Sequence, residues 1–433
     1  MATATYDVLG VGFGPSNIAL AVALEEQGFD GSVMFIERNP GNSWQQEMML
    51  GGSDIQHNPL RDLVTPSNPR SRYGWLSYLA EAGRLFDFLN LPIHYPLRSD
   101  YDGYVRWVAD QFPDWVRHGT SVASIAVDPE GYRVQTTDGD LYRARSLVVG
   151  TGRSPYLPEV FAGIDHPAVF HLTRYLSKMR DLQARPAPPR KIAVVGGSQS
   201  AVELLIDLRE RFPETEVHGL CRSYGYQSKD TSPFTHHVYF PEFVDMFFDA
   251  DDGQRQRLWD ELRRTNYAAA DQDVLDKLYV SIYEDKVLGR TPVQIKSNTL
   301  VTDAEPVGDN VRLTLSSRLS APAEHHEYDA VIVATGFRNL GIGEDAHRCP
   351  PLLEGLYDRI ATNAHGVVDV QRDYRLIARA HDSLPPLFLN GLCESTHGFG
   401  DAGSFSLVSL RAALIAESLR DALSPSDLER RAS

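Results

Sequence analysis

The sequence predicts an α/β fold, because the same succession of strand, glycine-rich turn and helix occurs twice along its 433 residues. An apolar strand over residues 6–11 leads into a glycine-rich turn at residues 10–15, and a strand over residues 191–195 leads into a turn at residues 196–200. Helices that alternate with apolar strands are typical of parallel sheets. A mostly helical stretch follows over residues 243–282. We therefore expect two Rossmann-like dinucleotide-binding domains and a smaller, mostly helical region.

The first unit continues with a helix over residues 16–27 and a strand over residues 32–36, which ends at Glu37. Glu37 lies 23 residues after Gly14 (37 − 14), where a carboxylate can accept hydrogen bonds from a ribose hydroxyl. The third glycine of the usual fingerprint would fall at Pro15, which argues against an ordinary NAD-dependent dehydrogenase. The turn residues expected to approach a dinucleotide are Gly10, Gly12, Gly14 and Pro15.

The second unit has a helix over residues 201–211 and a strand over residues 216–220, which is followed by Arg222. A cation at the position that Glu37 has in the first unit suits the 2′-phosphate of NADPH, whereas an acid would suit NADH. The alternative for Arg222 is a surface salt bridge. A further strand is expected over residues 330–335. The turn residues expected at this second nucleotide site are Gly196, Ser198, Gln199 and Ser200.

Composition and charge narrow the possible partners and compartments. The formal net charge is −16 at pH 7, and a broadly acidic surface repels nucleic acid and anionic membranes. Cys221, Cys349 and Cys393 are odd in number and far apart, so neither a disulfide framework nor a zinc site is expected. The sequence has no signal-peptide pattern, and the apolar stretch over residues 8–24 is interrupted by glycines and Pro15. These features favour a cytoplasmic protein without a metal centre or a membrane-spanning segment.

An ordered set of motifs gives the sequence a more specific resemblance. It includes GVGFGPSN from Gly10, FIERNPGNSWQQEMML from Phe35, IQHNPLRDLVTPSNPRSRYGWLSYL from Ile55, GGSQSAVELLIDL from Gly196, SPFTHHVYFPEFVD from Ser232, RTNYAAAD from Arg264, VIVATGF from Val331 and NGLCESTHGFGD from Asn390. The chain resembles the class B flavin monooxygenases. More narrowly, it resembles the N-hydroxylating monooxygenases that act on L-ornithine, L-lysine or diamines in siderophore and other natural-product pathways. The resemblance covers almost the whole chain.

The resemblance implies two cofactors, FAD and NADPH, and a set of residues that bind them. It implies that NADPH reduces the flavin, that O2 gives a C4a-hydroperoxyflavin, and that the nitrogen of a primary amine attacks its distal oxygen. Burial in an apolar site would favour the neutral, nucleophilic amine. Gln56 and Asn266 are the implied catalytic residues, and Asn266 would contact both substrate and NADP+. Besides the first glycine turn and Glu37, the implied flavin contacts are Trp44, Gln56 and the C-terminal segment around His397.

The implied domains are discontinuous along the chain. The Pro-rich run at residues 185–190 is typical of a linker into the second nucleotide domain. Relatives are usually homo-oligomers, so a homo-oligomer is expected. The predicted division assigns residues 1–185 and 326–433 to the FAD-binding domain, 186–230 and 285–325 to the NADPH-binding domain, and 231–284 to the helical substrate-binding region.

Three positions are predicted to face the substrate, and each has a plainer alternative. Arg61 lies where ornithine-specific members usually have a lysine that binds the substrate carboxylate, although it could instead form a salt bridge with Asp62 or with an acid elsewhere. His236 lies where the family has an asparagine, although a His236–His237 pair is more often simply a satisfied surface or core pair. Arg264 could be a solvated helix residue. Together they add positive charge where the head of the substrate would lie.

The predicted function is N-hydroxylation of a small primary amine, with L-ornithine or L-lysine as the default substrate. The added positive charge favours an alternative, a more anionic amine such as a dicarboxylic amino acid or an aminophosphonate. A diamine fits less well, because it has no anionic group. Two other classes stay open: a carbon- or sulfur-oxygenating relative, whose hallmark FxGxxxHxxxW is absent between the two glycine turns, and a non-enzymatic nucleotide-binding protein.

Overall fold

The computed structural model describes residues 5–319 and 322–424. Its strands are β1 (Thr5–Val11), β2 (Val33–Ile36), β3 (Val116–Arg117), β4 (Val122–Asp128), β5 (Gly131–Thr136), β6 (Leu141–Val149), β7 (Val169–His171), β8 (Lys191–Val195), β9 (Glu216–Leu220), β10 (Val293–Lys296), β11 (Thr299–Val307), β12 (Asn310–Ser317), β13 (Glu324–Tyr328), β14 (Ala330–Val333), β15 (Asn339–Leu340), β16 (Ala346–His347) and β17 (Leu387–Leu389). Its α-helices are α1 (Pro15–Glu26), α2 (Trp75–Glu81), α3 (Leu85–Leu89), α4 (Arg98–Ala109), α5 (Tyr175–Gln183), α6 (Gln199–Arg211), α7 (Pro241–Asp249), α8 (Asp252–Leu262), α9 (Gln272–Val287), α10 (Glu394–His397) and α11 (Val408–Ala422).

The first sheet contains seven strands in the order β3-β2-β1-β6-β5-β4, with β17 also paired to β6. The pairs of β1 with β2 and β6 are parallel, and β4, β5 and β6 form an antiparallel meander. Val8 and Leu9 of β1 are fully buried, as expected for a parallel strand that is covered on both faces. Helices α1 and α11 pack against each other beside this sheet. The first predicted strand–turn–helix–strand unit is therefore present.

The second sheet contains five parallel strands in the order β10-β9-β8-β14-β7. The predicted strands at residues 191–195 and 216–220 have those bounds, and the strand predicted over residues 330–335 ends at Val333. The strands β11, β12 and β13 form a separate antiparallel sheet that packs near β14. The α/β fold class, with two Rossmann-like units, is confirmed.

Sheet membership differs from the predicted division of the chain at two places. The strand β14 was assigned to the first domain, but Ala330 pairs with Ile192 of β8. The strand β7, which lies before the predicted boundary at residue 185, also joins the second sheet, because Val169 pairs with Val331. Backbone hydrogen bonding in a parallel sheet joins strands from distant parts of the chain. A division that follows the sheets therefore places β7 and β14 in the second domain.

The helical region contains α7, α8 and α9, separated by short breaks. Pro241 is at the first turn of α7, and a capping box formed by Asp251 and Gln254 begins α8. Of the four leucines in this region, Leu278 is buried, whereas Leu258, Leu262 and Leu275 are partly buried. Phe243 and Phe247 of α7 pack on Phe399, and this contact attaches the helical region to the C-terminal segment. No helix in the described ranges is long and apolar enough to cross a membrane.

Candidate active site

A cavity of about 630 Å³ lies where the two nucleotide units, the helical region and the C-terminal segment meet. Ligands of α/β proteins bind beyond the carboxyl ends of parallel strands, and both glycine turns lie at such ends. Seven of the residues predicted from the sequence line this cavity: Trp44, Gln56, Arg61, Gln199, Ser200, His236 and Asn266.

The first glycine turn is shaped for the close approach of a ligand. Gly12 has a φ of 87°, and a Cβ there would lie 2.6 Å from the carbonyl oxygen of Gly150. Gly14 is the N-cap of α1, and a Cβ there would have no described neighbour within 4 Å. Backbone amides at such a helix N-terminus attract a pyrophosphate. Gly12 and Gly14 therefore fit a dinucleotide cofactor.

The structure corrects the alignment of the glycine fingerprint. Gly10 lies inside β1, where a Cβ would lie 2.1 Å from the Phe35 ring, so this glycine makes room for packing. The tight turn begins at Gly12, and Pro15 starts helix α1, a position at which proline is favoured. The third position of the fingerprint is consequently Asn17. The expectation that Pro15 replaces the third glycine was wrong by two residues.

Asn17 uses the third position to join the turn to the C-terminal segment. Its Nδ2 donates to the carbonyl of Gly12 at 2.7 Å, and its Oδ1 accepts from Asn390 at 3.0 Å. The predicted acid Glu37 is buried nearby and accepts from the backbone amides of Phe13 and Asn39, at 2.7 and 2.8 Å. Glu37 thus holds the turn in place, and its contact with a ribose stays a prediction.

The second glycine turn has the same form. A Cβ at Gly196 would lie 2.5 Å from the carbonyl oxygen of Ala334, and Ser198 is the N-cap of α6. Gln199 lies at the cavity, where its Oε1 accepts from the backbone amide of Asp271 at 2.7 Å. Arg222 is exposed, and no carboxylate in the described part of the chain lies within salt-bridge distance of it. The alternative of a surface salt bridge at Arg222 therefore has no support.

Gln56, in the first nucleotide unit, is held in one orientation by two side chains of the second unit. Its backbone has a φ of 60°, which is unusual for a residue other than glycine. Its Nε2 donates to Glu203 at 3.4 Å, and its Oε1 accepts from Lys229 at 3.5 Å. Glu203 also forms a buried bidentate ion pair with Arg98, with an Nη2–Oε1 distance of 2.9 Å. The amide of Gln56 therefore presents a fixed edge to the cavity.

Arg61 and His236 both line the cavity, and both contact the ring of Tyr239. The guanidinium of Arg61 donates to the hydroxyl of Ser406 at 3.3 Å and lies over the ring of Tyr239 at 5.7 Å. The carboxylate of Asp62 instead accepts from the backbone amides of the following turn, so the Arg61–Asp62 alternative is excluded. Arg61 therefore retains donors that can bind an anion.

His236 is a neutral member of the cavity wall. Burial lowers its pKa, and its Nε2 lies 3.2 Å from the carbonyl oxygen of Asp230. This contact places the proton on Nε2 and leaves Nδ1 as an acceptor. His237 points elsewhere and stacks on Phe240 with ring centroids 4.4 Å apart. Of the two histidines, His236 therefore lines the cavity, and its contact with a substrate stays a prediction.

The other ten predicted residues do not line the cavity. Eight of them belong to the two glycine turns or follow the strands after those turns, and the remaining two are His397 and Arg264. His397 is fully buried, stacks on Tyr374 at 4.0 Å and contacts the carbonyl oxygen of Arg372 through Nε2 at 3.2 Å. The part of the C-terminal segment that reaches the cavity is residues 403–406, of which Phe405 meets the edge of Trp44. Arg264 is exposed, which agrees with the alternative that it is a solvated residue.

Sequence reasoning missed Arg98, Glu203 and His57, which all line the cavity. Glu203 follows Gln199 by four residues on α6, and this helical spacing could have identified it. His57 directly follows Gln56, and burial lowers its pKa to about 4. Three free cysteines are buried, and the described residues contain no cluster suited to a metal ion.

Comparisons with known proteins place this geometry in one family. Residues 4–339 match the family model described as L-lysine 6-monooxygenase/L-ornithine 5-monooxygenase. The chain is 35% identical to an L-ornithine N(5)-monooxygenase from Burkholderia cepacia over 91% of this chain and 90% of the relative. It is 34% identical to one from Pseudomonas aeruginosa over 98% and 96%.

Solved structures agree with the sequence comparison. An ornithine hydroxylase from Pseudomonas aeruginosa superposes with a TM-score of 0.87 at 32% identity, over 97% of this chain and all of the other. An ornithine N-hydroxylase from Kutzneria sp. 744 with reduced FAD, NADP+ and L-ornithine has a TM-score of 0.88 at 32% identity, over 99% and 100%. The chain therefore belongs to the L-lysine 6-monooxygenase/L-ornithine 5-monooxygenase family.

Proposed function

We propose that this protein is an FAD- and NADPH-dependent monooxygenase that uses O2 to hydroxylate the primary amine nitrogen of a small amino-acid-like substrate. The observation that carries the proposal is the cavity of about 630 Å³, which brings Gln56, Asn266 and Arg61 together. A cavity of this size accommodates a small substrate beside the reactive ends of two cofactors.

The two glycine turns supply the cofactor sites. Gly12 and Gly14 leave room for the pyrophosphate of FAD at the start of α1, and Ser198 begins α6 at the corresponding place for NADPH. Arg222, which has no described carboxylate partner, is available for the 2′-phosphate. When bound, the two cofactors supply the electrons and the activation of O2, for which side chains have no equivalent.

The side chains of the cavity bind and orient the amine. Arg61 attracts the carboxylate of the substrate, and its positive charge disfavours protonation of a nearby amine. The Nδ1 of His236 accepts a hydrogen bond from the substrate, and the amide of Asn266 lies at the same cavity. Phe405 and Trp44 exclude water on one side. These contacts present a neutral amine nitrogen for oxidation.

The default substrate is L-ornithine or L-lysine, and the default setting is siderophore or other natural-product biosynthesis. Both follow from the activities for which the relatives are named. A more anionic amine is the alternative, because Arg61 has no described carboxylate partner and the hydroxyls of Ser404 and Ser406 lie beside it. A diamine has no anionic group that could bind the guanidinium of Arg61.

The decisive experiment measures hydroxylamine formation, NADPH oxidation and hydrogen peroxide release with five amines. These are ornithine, lysine, putrescine, aspartate and an aminoalkylphosphonate. The proposed function requires that at least one of them yields hydroxylamine in a constant ratio to NADPH. Coupling with aspartate or the phosphonate alone selects the anionic alternative, and coupling with putrescine alone contradicts the role given to Arg61. A protein without bound flavin and without NADPH oxidation would overturn the proposal.

We further propose a cytoplasmic homo-oligomer. Three buried free thiols suit a reducing compartment. Helix α9 exposes an apolar row of Tyr279, Tyr283 and Val287, with exposed fractions of 63–76%, which a second copy of the chain could cover. Light scattering should give a molar mass that is a multiple of 48.3 kDa. Tyr283→Lys should reduce that mass, and a monomeric wild type would contradict the proposal.

A further inference from the structure

Three residues that are distant in the sequence meet directly behind the cavity wall. Arg153 follows β6 of the first sheet, Tyr267 follows Asn266 in the helical region, and Glu394 begins α10 in the C-terminal segment. The hydroxyl of Tyr267 donates to the carboxylate of Glu394, 2.6 Å from each oxygen. Arg153 donates through Nη1 to the Tyr267 oxygen at 2.9 Å and lies 3.4 Å from Glu394. Arg153 also donates to Oδ1 of Asn339 at 3.2 Å. The three linked side chains of Tyr267, Glu394 and Arg153 are named here the Tyr267 network.

Burial makes the Tyr267 network sensitive to the loss of any one member. The Glu394 side chain is fully buried, and burial raises the pKa of this carboxyl to about 7, although Arg153 and Tyr267 oppose the rise. Burial also raises the pKa of Tyr267, so its hydroxyl stays protonated and acts as a donor. Burial alone would lower the pKa of Arg153, but Tyr267 and Glu394 raise it. If one member is removed, the polar groups of the others lose a hydrogen-bond partner, and burial prevents water from replacing it.

Gly403 connects the Tyr267 network to the cavity. A Cβ at Gly403 would lie 3.0 Å from Nη2 of Arg153, 3.2 Å from Nδ2 of Asn266 and 3.3 Å from the hydroxyl of Tyr267. Gly403 and Asn266 both line the cavity. Gly403 of the C-terminal segment therefore packs tightly against Asn266 of the helical region and against two members of the Tyr267 network, Arg153 and Tyr267.

We propose that Tyr267, Glu394 and Arg153 are positioning residues that fix Asn266 and residues 403–406 relative to each other, and so set the shape of the amine-binding side of the cavity. The geometry supports this assignment because the network joins all three parts of the chain that form this side: the first nucleotide unit, the helical region and the C-terminal segment. The substrate consequence rests on the proposed function, whereas the positioning of the two segments does not.

The test compares Tyr267→Phe with Tyr142→Phe in the full-length, flavin-loaded protein. Y267F removes the hydroxyl but keeps the ring that packs on Trp259 at a centroid distance of 5.5 Å. Tyr142 is a half-buried tyrosine on β6, beside Tyr6 and outside the cavity, and serves as the matched control. In Y267F we expect hydrogen exchange in peptides containing residues 403–406 to accelerate about tenfold. We also expect the KM for the amine to rise about tenfold with a smaller change in kcat. Neither value should change in Y142F.

A conservative variant separates positioning from a general loss of stability. Glu394→Gln keeps an acceptor for the Tyr267 hydroxyl and should retain most of the wild-type protection and KM, whereas Glu394→Ala should behave like Y267F. Unchanged exchange at residues 403–406 in Y267F overturns the proposal, and so does faster exchange throughout the chain with a lower unfolding midpoint. If the wild type forms no hydroxylamine from any amine, the proposed function fails, but the exchange comparison still decides the Tyr267 network.

Discussion

Arg61 combines partial burial, a single hydrogen bond to Ser406 and a position beside Gln56 and His236 at the cavity. A guanidinium in such a place is stabilised when a ligand supplies the anion that the protein does not. This makes Arg61 the residue whose substitution should report most directly on the carboxylate of the substrate.

Arg61→Met should weaken binding of an amino-acid substrate. Loss of a charge-assisted contact costs about 1.5–3 kcal/mol, so KM should rise about 10- to 100-fold while kcat falls less. Arg61→Lys should recover part of the loss, because it keeps the charge without the bidentate fork. The measurement is hydroxylamine formation as a function of amine concentration. Arg264→Ala, at an exposed arginine outside the cavity, is the matched control. Equal effects of R61M and R264A would contradict the role of Arg61.

Arg222→Ala should change the preference between nicotinamide cofactors. Without the guanidinium, the 2′-phosphate of NADPH loses a charged partner, and the KM for NADPH should rise about tenfold while that for NADH stays the same. Arg379→Ala removes an exposed arginine elsewhere and controls for net charge. Initial rates of flavin reduction with each cofactor provide the measurement. An R222A variant that still prefers NADPH by the wild-type ratio would refute this assignment.

Individual residues were predictable where a motif also determines the direction of the side chain. Gln56, Arg61 and Asn266 lie in short segments whose backbone is held by local turns, and all three reach the cavity. His397 is different, because the C-terminal segment continues past it and closes the cavity six residues later, at Gly403. The pairing of Glu203 with Arg98 could not be predicted, because the two residues are 105 positions apart and sequence patterns do not reveal such long-range pairs.

In the first glycine turn, Gly14 is predicted to matter for the cofactor alone, whereas Gly12 is predicted to matter for both the fold and the cofactor. Gly14→Ala places a methyl group where the described protein has no atom within 4 Å, so the fold should lose at most about 1 kcal/mol as an N-cap effect. The same methyl group would obstruct the pyrophosphate, so the FAD content of the purified protein should fall. Gly12→Ala should lower both the unfolding temperature and the FAD content, because its Cβ meets Gly150 and its φ is positive.

Gly51→Ala gives the control for the turn, because Gly51 is exposed and also has no described atom within 4 Å of a Cβ. Absorbance of the flavin per protein chain and a thermal unfolding curve provide the two measurements. A Gly14→Ala protein with full flavin content would contradict the assignment of this turn to FAD.

The strands and helices around the turns were predicted to within two residues, because apolar runs and glycines mark their ends. The alignment of the glycine fingerprint was not predicted correctly, because GVGFG contains two overlapping Gly-x-Gly pairs. Proline is favoured in the first turn of a helix, and this preference at Pro15 would have selected the correct alignment.

The whole molecule depends on contacts that cross between the two nucleotide units, and these were the least predictable. The sequences of apolar strands such as β7 and β14 do not indicate which sheet the strands join. The burial patterns of both strands would suit either sheet. Only their pairing with each other and with β8 assigns them to the second sheet. The buried Arg98–Glu203 ion pair also connects the two nucleotide units, because Arg98 lies on α4 and Glu203 on α6.

Arg98→Met should destabilise the protein, because it leaves the Glu203 carboxylate buried without its cation. The side chains of this pair are 7% and 8% exposed, and breaking such a pair costs about 3–5 kcal/mol. Adding Glu203→Leu should recover most of the unfolding midpoint, since a pair of apolar side chains tolerates burial. Activity should not recover, because Gln56 and Gln199 then lose the carboxylate that accepts from their Nε2 atoms.

Thermal unfolding and hydroxylamine formation, measured on the same samples, separate the effect on stability from the effect on activity. Arg312→Met, at an exposed ion pair, is the control that should change neither quantity. A double variant as unstable as R98M, or one with full activity, would contradict a link that joins the nucleotide units and also orients Gln56.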